Sequence, residues 1–402
     1  MTPDGALDLL RGPATPSGNR RLRLGFMPLV DCAPLVVARD LGFAAAEGLE
    51  LDLVRETSWA NVRDRLVLGH FDAAHLLAPM TLAGRLGLGH LKSPLLAPCV
   101  LNQGGSSVAL TTALWNEGGD WGGFDDPRAA GVTLARVVAE RAARGAEPLT
   151  FAVVHPFSIH DQQLRYWIAA AGVDPDRDLR IVVVPPPYMV DAMVSGAVDG
   201  ICVGAPWPSL AVEAGVGHIL LTGATIWPGA ADKVLGVRET FVEREPEVFA
   251  ALLRTIDRAA VWCEAIENAD ELAALLGRPE IVGVDAAIVA RTTHRVIVPE
   301  KGGAPRPMPG VLRFHGPGAA GPINRPRLAD GLWIAAQMLR WHQIHDAEAV
   351  FAAARVAFSP ALWDAALGRP EISAEVDVVT PFDGRRFDAR DPAAWLAGLD
   401  RQ

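Results

Sequence analysis

Several functional signatures are missing from this 402-residue sequence. It has only four cysteines, too far apart to form a Cys-x-x-Cys motif, and they are Cys32, Cys99, Cys202 and Cys263. Their spacing excludes a dithiol redox centre and a cysteine-based zinc site. No GxSxG, P-loop or strand-linked GxGxxG motif is present, nor any recognisable nucleophile or acid-base motif. We therefore predict no catalytic residues, no cofactor and no enzymatic activity.

Basic residues and long apolar runs are also scarce. The 37 lysines and arginines are outnumbered by 47 acids, giving a net charge of −10, which argues against nucleic-acid binding through a general positive field. Only three of the basic residues are lysines, so each of Lys92, Lys233 and Lys301 is a position to inspect. The longest charge-free stretch, residues 93–116, contains prolines and glycines and does not suit a membrane-spanning helix. We expect neither direct nucleic-acid binding nor a membrane span.

The N-terminal segment, residues 1–20, is predicted to be a flexible arm. It contains two acids and three prolines and lacks the apolar core of a secretion signal. Widely spaced cysteines suit a reducing compartment. Together these features predict a cytoplasmic location.

The rest of the chain alternates between strand and helix patterns. RLRLGFMPL, LELDLV and FDAAHLL are predicted strands separated by helices, the first of them a single apolar helix from Ala33 to Ala46. A second series of the same kind begins at the helix predicted from Pro127. This alternation predicts an α/β protein with two doubly wound sheets. Ligands of such sheets bind beyond the carboxyl ends of strands, so we expect function in the loops of a cleft.

Three side chains in the first series follow predicted strands. Asp31 precedes a helix and most simply caps it, with a role in the cleft as the alternative. Trp59 stands at a helix N-terminus that Ser58 can cap, where an anion would be favoured, and its indole suits packing and ligand contact equally. His75 lies within an apolar strand, which favours a core histidine.

Two further segments offer hydrogen-bonding groups near the predicted cleft. LNQGGSS, residues 101–107, connects the two series and serves either as a hinge alone or as a source of amide donors from Asn102 and Gln103. His155 and His160 flank a strand-to-helix turn, but a metal site would need a third ligand at compatible spacing. We predict no metal site and interpret one or both of these histidines as hydrogen-bond donors in the cleft.

Longer blocks carry a family resemblance. GFMPLVDCAPLVVARDLGF, ETSWANVRDRL, VPPPYMVDAMVSGAVDGICVGAPW and DGLWIAAQMLRWHQI resemble the nitrate and bicarbonate solute-binding proteins of ABC transporters. The resemblance implies a two-lobed type II periplasmic-binding-protein fold with a C-terminal helical extension. Lobe I would comprise residues 21–107 and 227–402, and lobe II residues 108–226. It also implies an anion site built from Trp59, Gln103 with Gly104 or Gly105, His160 and Lys233.

The resemblance implies a function as well. Nitrate and nitrite carry no proton at neutral pH, so a site of donors with one compensating charge from Lys233 favours them over bicarbonate, whose O–H needs an acceptor. The chain looks most like the cytoplasmic nitrate/nitrite sensors of this family, which implies a cytoplasmic nitrate/nitrite sensor that controls an RNA-binding transcription antiterminator in nitrate assimilation. The alternative is the substrate-binding protein of an ABC-type nitrate/nitrite or bicarbonate importer. An enzyme of this fold acting on a pyrimidine-like precursor is a third, weaker interpretation.

Overall fold

A computed structural model describes residues 19–89, 91–318, 321–369 and 378–399. The predicted N-terminal arm therefore lies, up to residue 18, outside the described residues. The described chain contains two large sheets, each flanked by helices. We refer to the first sheet with its helices as the first lobe and to the second as the second lobe.

The first lobe is built on a seven-stranded sheet. Its strands are β1 Arg20–Phe26, β2 Leu49–Arg55, β3 Ala73–Leu77, β4 Leu95–Leu96, β5 Val100–Gly104, β11 Ala231–Arg238 and β14 Leu312–Arg313. The order is β14-β5-β11-β3-β1-β2, with β4 also paired to β11. Strand β1 runs parallel to β2 and β3, whereas β11 runs antiparallel to β3, β4 and β5.

The second lobe is built on a five-stranded sheet. Its strands are β6 Ser106–Thr111, β7 Thr150–Val153, β8 Arg180–Val183, β9 Gly200–Gly204 and β10 Gly217–Thr222. Their order is β10-β6-β9-β7-β8, in which β7 is parallel to β8 and β9 while β6 is antiparallel to β9 and β10. A separate hydrophobic core under this sheet contains the fully buried Trp121, Phe151 and Trp167.

Helices cover both sheets. Those from the first half of the chain are α1 Ala33–Asp40, α2 Phe43–Ala46, α3 Trp59–Val67, α4 Ala78–Leu86, α5 Thr112–Gly118, α6 Pro127–Ala143, α7 Ile159–Ala170 and α8 Met189–Val194. The remaining helices are α9 Trp207–Glu213, α10 Gly223–Ile226, α11 Glu239–Arg244, α12 Pro246–Glu264, α13 Ala269–Gly277, α14 Ala286–Thr293, α15 Leu328–Arg340, α16 Ala347–Ala357, α17 Ala361–Ala366 and α18 Pro392–Leu399. Within the described ranges, no helix is both long and apolar enough to cross a membrane.

Short strands also form in the C-terminal half of the chain. They form three two-stranded sheets from β12 Val296–Ile297 with β13 Arg306–Pro307, β15 Pro317–Gly318 with β16 Gly321–Pro322, and β17 Val378–Val379 with β18 Phe387–Asp388.

Within the described residues, the chain passes from one sheet to the other at two places. The first is the step from β5 to β6, where Gly104 and Gly105 have φ of 72° and 95°. These left-handed angles favour glycine, and a Cβ on Gly104 would lie 2.6 Å from the Val311 carbonyl oxygen. The second is the return from α10 to β11. The step from β5 to β6 therefore depends on glycine both for its turn and for its close packing.

The C-terminal segment, residues 378–399, contacts both lobes. In the first lobe, Trp395 packs on Trp333 of α15 with ring centroids 4.7 Å apart. Toward the second lobe, the Phe382 amide donates to the Ile226 carbonyl at 3.1 Å, and the Tyr166 hydroxyl donates to Asp383 at 3.0 Å. This segment thus bridges the two lobes in the conformation observed.

The predicted two-lobed α/β fold with a C-terminal extension is confirmed, with two differences in detail. Each sheet includes antiparallel strands where the chain crosses from one lobe to the other, so neither sheet is purely parallel. The apolar segment from Ala33 to Ala46 forms two helices instead of one, because Gly42 adopts a left-handed φ of 77° between them. The lobe boundaries at residues 107 and 226 remain a prediction.

Replacing Arg325 with methionine is expected to lower the free energy of unfolding by about 3–5 kcal/mol. Arg325 and Asp364 are both buried, and the guanidinium donates to both carboxylate oxygens at 2.8 Å, so the substitution leaves a buried carboxylate without its cation. Denaturant unfolding measures the loss. The control is Arg180→Met, which breaks an exposed pair with Glu147 and should cost under about 1 kcal/mol. Equal losses in the two variants would contradict the argument.

Candidate functional site

Six buried polar side chains meet where the two lobes face each other. We call them the buried cluster, and they are Asp31, Trp59, His75, His160, Asp232 and Lys233. Five of them belong to the first lobe, and His160 is contributed by α7 of the second. Each is at most 2% exposed to solvent. Such complete burial of ionisable groups requires partners or a ligand, because an unpaired charge inside a protein is strongly destabilising.

Trp59 and His160 enter the cluster from the first turns of two helices. Trp59 begins α3, whose N-cap Ser58 accepts a hydrogen bond from the Asn61 amide at 3.2 Å. His160 is the second residue of α7, and its N-cap Ser158 accepts from Asp161 at 3.0 Å. The positive ends of two helix dipoles therefore point toward the cluster from opposite lobes, and this favours negative charge there.

Lys233 is the centre of the ion pairs. Its Nζ lies 2.6 Å from Asp232 Oδ2 and 3.0 Å from Asp31 Oδ2. Burial disfavours the charged ammonium, but Asp232 and Asp31 outweigh that effect and hold the pKa of Lys233 above its usual value. Burial likewise opposes ionisation of Asp31, yet Lys233 and His75 lower its pKa well below the usual range. Both groups are therefore charged at neutral pH.

His75 is held in one orientation by groups of the first lobe. Its Nδ1 accepts a hydrogen bond from the Met27 amide at 3.4 Å, and its Nε2 lies 2.9 Å from Asp31 Oδ1. The Met27 bond requires an unprotonated Nδ1, so the proton of the neutral ring sits on Nε2 and faces Asp31. Trp59 packs against this ring at a centroid distance of 5.2 Å.

Trp59 and His160 supply buried hydrogen-bonding atoms without a protein partner. The indole Nε1 of Trp59 and both ring nitrogens of His160 make no hydrogen bond. His160 Nε2 lies 3.6 Å from Asp232 Oδ2. Burial lowers the pKa of His160 to about 4 despite the nearby Asp232, so the ring is neutral at physiological pH. Buried donors left unpaired in this way are expected where a polar ligand binds.

Gly204, the last residue of β9, provides space beside these donors. A Cβ at this position would lie 3.0 Å from Leu29 Cδ2, 3.5 Å from Asp31 Oδ2 and 3.8 Å from His160 Nε2. The lobes touch at this point, because the Val30 amide donates to the Ala205 carbonyl at 2.9 Å. A side chain at residue 204 would therefore lie beside both Asp31 of the first lobe and His160 of the second.

The crossover residues predicted for the site are placed differently from Trp59, His160 and Lys233. Gln103 is half-buried, and its Oε1 is directed toward Gly229 on the return connection, 3.7 Å from the position of a Cβ there. Asn102 is the buried amide instead: it accepts from the Lys233 backbone amide at 3.2 Å and donates to the Gly104 carbonyl at 2.8 Å. The structure thus brings three of the predicted residues together, and ligand contacts by Gln103 and Gly104 remain predictions.

Two expectations about the site are wrong. Asp31 does not cap the helix that follows it, since neither the short helix at residues 30–32 nor α1 has a side-chain cap; it pairs with Lys233 and His75. The site is also not a set of donors with one free cation, because Asp31 and Asp232 place two carboxyl groups against Lys233. Asp232 and Gly204, which also belong to this region, are not among the site residues predicted from the sequence. Among the described residues, no three His, Cys, Asp or Glu side chains are grouped to hold a metal ion.

Residues 15–277 match the model of the NMT1-like family. Among curated proteins, the chain is 34% identical over 388 residues to the bicarbonate transport ATP-binding protein CmpC of Synechococcus elongatus, covering 94% of this chain and 54% of that protein. It is 30% identical to the nitrate/nitrite binding protein NrtA of the same organism, covering 94% of this chain and 85% of that protein. The chain thus spans about half the length of CmpC and most of NrtA.

A solved structure is similar over almost the whole chain. The periplasmic nitrate-binding protein NrtA from Synechocystis PCC 6803 superposes with a TM-score of 0.85 at 28% sequence identity, covering 94% of this chain and 98% of that one. The two-lobed architecture described above is therefore shared with a solute-binding protein along essentially its full length.

Proposed function

Because this chain belongs to the NMT1-like family, and within it to the nitrate/bicarbonate type of solute-binding protein, we propose that it is the substrate-binding component of an ABC-type importer of a small oxyanion. Its family and fold are those of binding proteins and not of enzymes. The ligand would be held in the buried cluster, between the lobes. We propose nitrate or nitrite as that ligand.

The observation that carries this proposal is a pair of unpartnered hydrogen-bonding side chains, one contributed to the buried cluster by each lobe. Trp59 Nε1 and the His160 ring are fully buried, lie on helix first turns and make no hydrogen bond within the protein. A small anion between them would accept hydrogen bonds from both lobes at once. Binding would then stabilise the closed arrangement over an open one, which is how a two-lobed receptor reports its ligand.

Bicarbonate is the second candidate, and a specific atom favours it. Asp232 Oδ1 is buried and has no hydrogen-bond partner, so it could accept the O–H of bicarbonate, which nitrate and nitrite lack. The relatives are consistent with either ligand, since CmpC is named as a bicarbonate transport protein and NrtA as a nitrate/nitrite binding protein. A dianion such as sulfate would suit the two carboxyl groups at Lys233 poorly.

The sensor interpretation has less support than the importer role. CmpC and NrtA are named as transport and binding proteins, which favours the importer role over control of an antiterminator. An RNA-binding partner and a cytoplasmic location stay predictions, each open to direct test by co-purification and fractionation from the native host.

Isothermal titration calorimetry with nitrate, nitrite, bicarbonate and sulfate tests the proposal. We expect a single site for nitrate or nitrite and at least tenfold weaker binding of sulfate. Binding of bicarbonate alone would transfer the assignment to the second candidate. Absence of heat and of any thermal stabilisation with all four anions would refute the proposed function.

A further inference from the structure

The charge of Lys233 is already neutralised before any ligand arrives. Its ammonium lies within 3.0 Å of Asp31 and 2.6 Å of Asp232, so one buried cation faces two carboxyl groups. A bound monoanion would add a third negatively charged group, beside Asp31 and Asp232, to a site with the single positive charge of Lys233. A buried site of this composition needs a further cation to hold an anion well.

We propose, on the basis of the function proposed above, that the anion binds together with one proton, and that the His160 imidazole carries this proton. The proton comes from solvent, so neutral His160, one proton and one monoanion give an imidazolium–anion pair between the lobes. Lys233 then stays paired with the two carboxyl groups, while the charge of the His160 imidazolium neutralises that of the ligand. His160 is thereby the residue that makes affinity depend on pH.

Geometry distinguishes His160 from the other histidine of the cluster. His75 Nδ1 already accepts the Met27 amide and its Nε2 faces Asp31, so a second ring proton would break the Met27 bond. Both nitrogens of His160 are free of hydrogen bonds, so this ring can accept a proton on one nitrogen and donate from both. His160 is therefore the histidine of the cluster that can take up a second ring proton without losing a hydrogen bond.

The charged groups around His160 agree with this assignment. Asp232 and Lys233 face it from β11, and Asp31 faces it from the loop after β1. Without a ligand, burial dominates these influences and keeps the pKa of His160 low, at about 4, and the positive end of α7 also disfavours a cation there. An anion against the ring adds a negative charge and raises that pKa.

The sign of the pH dependence follows from this difference. If His160 is neutral in the free protein and protonated in the complex, binding takes up one proton, and the association constant falls as pH rises. Between about pH 6 and about pH 8, one proton taken up per anion weakens nitrate binding by about tenfold per pH unit. Nitrate itself does not titrate in this range, so the protein alone sets the slope.

The test is calorimetry with nitrate in buffers of different ionisation enthalpy, at about pH 6, pH 7 and pH 8. We expect one proton taken up per nitrate in the native protein. In His160→Gln, which keeps a donor but cannot be protonated, we expect weaker binding, no proton uptake and no pH slope. His218→Gln is the matched control, because His218 also has a pKa lowered by burial but stacks on Trp115 away from the cluster; it should keep the native slope.

A second readout does not depend on the variant. In protein labelled with ¹⁵N-histidine, the ring nitrogens of His160 should change from neutral to imidazolium shifts when nitrate is added near pH 7. Nitrate binding with no proton uptake, or uptake that persists in His160→Gln, overturns this inference alone. Absence of binding at every pH by nitrate, nitrite, bicarbonate and sulfate alike would instead contradict the proposed function.

Discussion

Replacing Lys233 with alanine is expected to lower anion affinity by about a hundredfold or more and to destabilise the protein by about 3–5 kcal/mol. The ammonium is fully buried, and its loss leaves Asp31 and Asp232 facing each other without a cation. Two uncompensated carboxyl groups would repel both one another and the ligand. Calorimetry measures the affinity, and denaturant unfolding measures the stability.

Lys301→Ala is the matched control for this variant. Lys301 is exposed, so removing it changes the net charge by the same amount without opening a buried ion pair. Affinity and stability should stay close to those of the native protein. A Lys233→Ala protein that binds the anion as the native protein does would remove Lys233 from the site.

Replacing Gly204 with valine is expected to reduce anion binding by about a hundredfold while the fold is retained. Position 204 ends strand β9, where the backbone suits a β-branched residue. Its side chain would project beside Asp31 Oδ2 and His160 Nε2, which together with Leu29 Cδ2 lie within 4 Å of an added Cβ. The cost in stability should be that of modest overpacking against Leu29, about 1–3 kcal/mol.

Binding and unfolding measurements on Gly204→Val should be compared with Gly310→Val, because a Cβ at Gly310 would meet no atom within 4 Å. The control should bind as the native protein does. If Gly204→Val also binds normally, the ligand does not occupy the space beside β9.

The two-lobed fold could be predicted because its signals are local. Alternation of strand and helix patterns gave the α/β class, and Ser58 caps α3 as expected from its position before the apolar helix. The antiparallel return strand β11 could not be predicted from such patterns. Its direction depends on where the chain re-enters the first sheet, which is a long-range property of the crossover.

Asp232 shows why the site could be predicted only in part. Side chains of adjacent residues in a regular strand point to opposite faces of the sheet. If the Lys233 side chain lies in the site, regular alternation therefore predicts that the Asp232 side chain lies outside it. At this end of β11, however, the pairing with β5 shifts between Ala231 and Lys233 and again before Val234. Such irregular pairing turns neighbouring side chains away from strict alternation, and both residues reach the cluster. No sequence pattern signals this irregularity.

Asp31 shows a second limit. Its position before a helix favours a cap on local grounds, yet its carboxylate is 3.0 Å from the ammonium of a residue 202 positions later in the chain. Attraction to a buried cation outweighs a cap in the interior of a protein, where charges interact strongly. A contact of this kind becomes visible only when β1 and β11 are assembled in the first sheet.

A crystal structure of the protein grown with nitrate tests the central claim most directly. We expect one planar anion between the lobes, within about 3 Å of Trp59 Nε1 and of a His160 ring nitrogen, beside Gly204. The ion pairs of Lys233 with Asp31 and Asp232 should persist in that complex. Nitrate bound elsewhere, with Trp59 and His160 making no contact to it, would contradict the account.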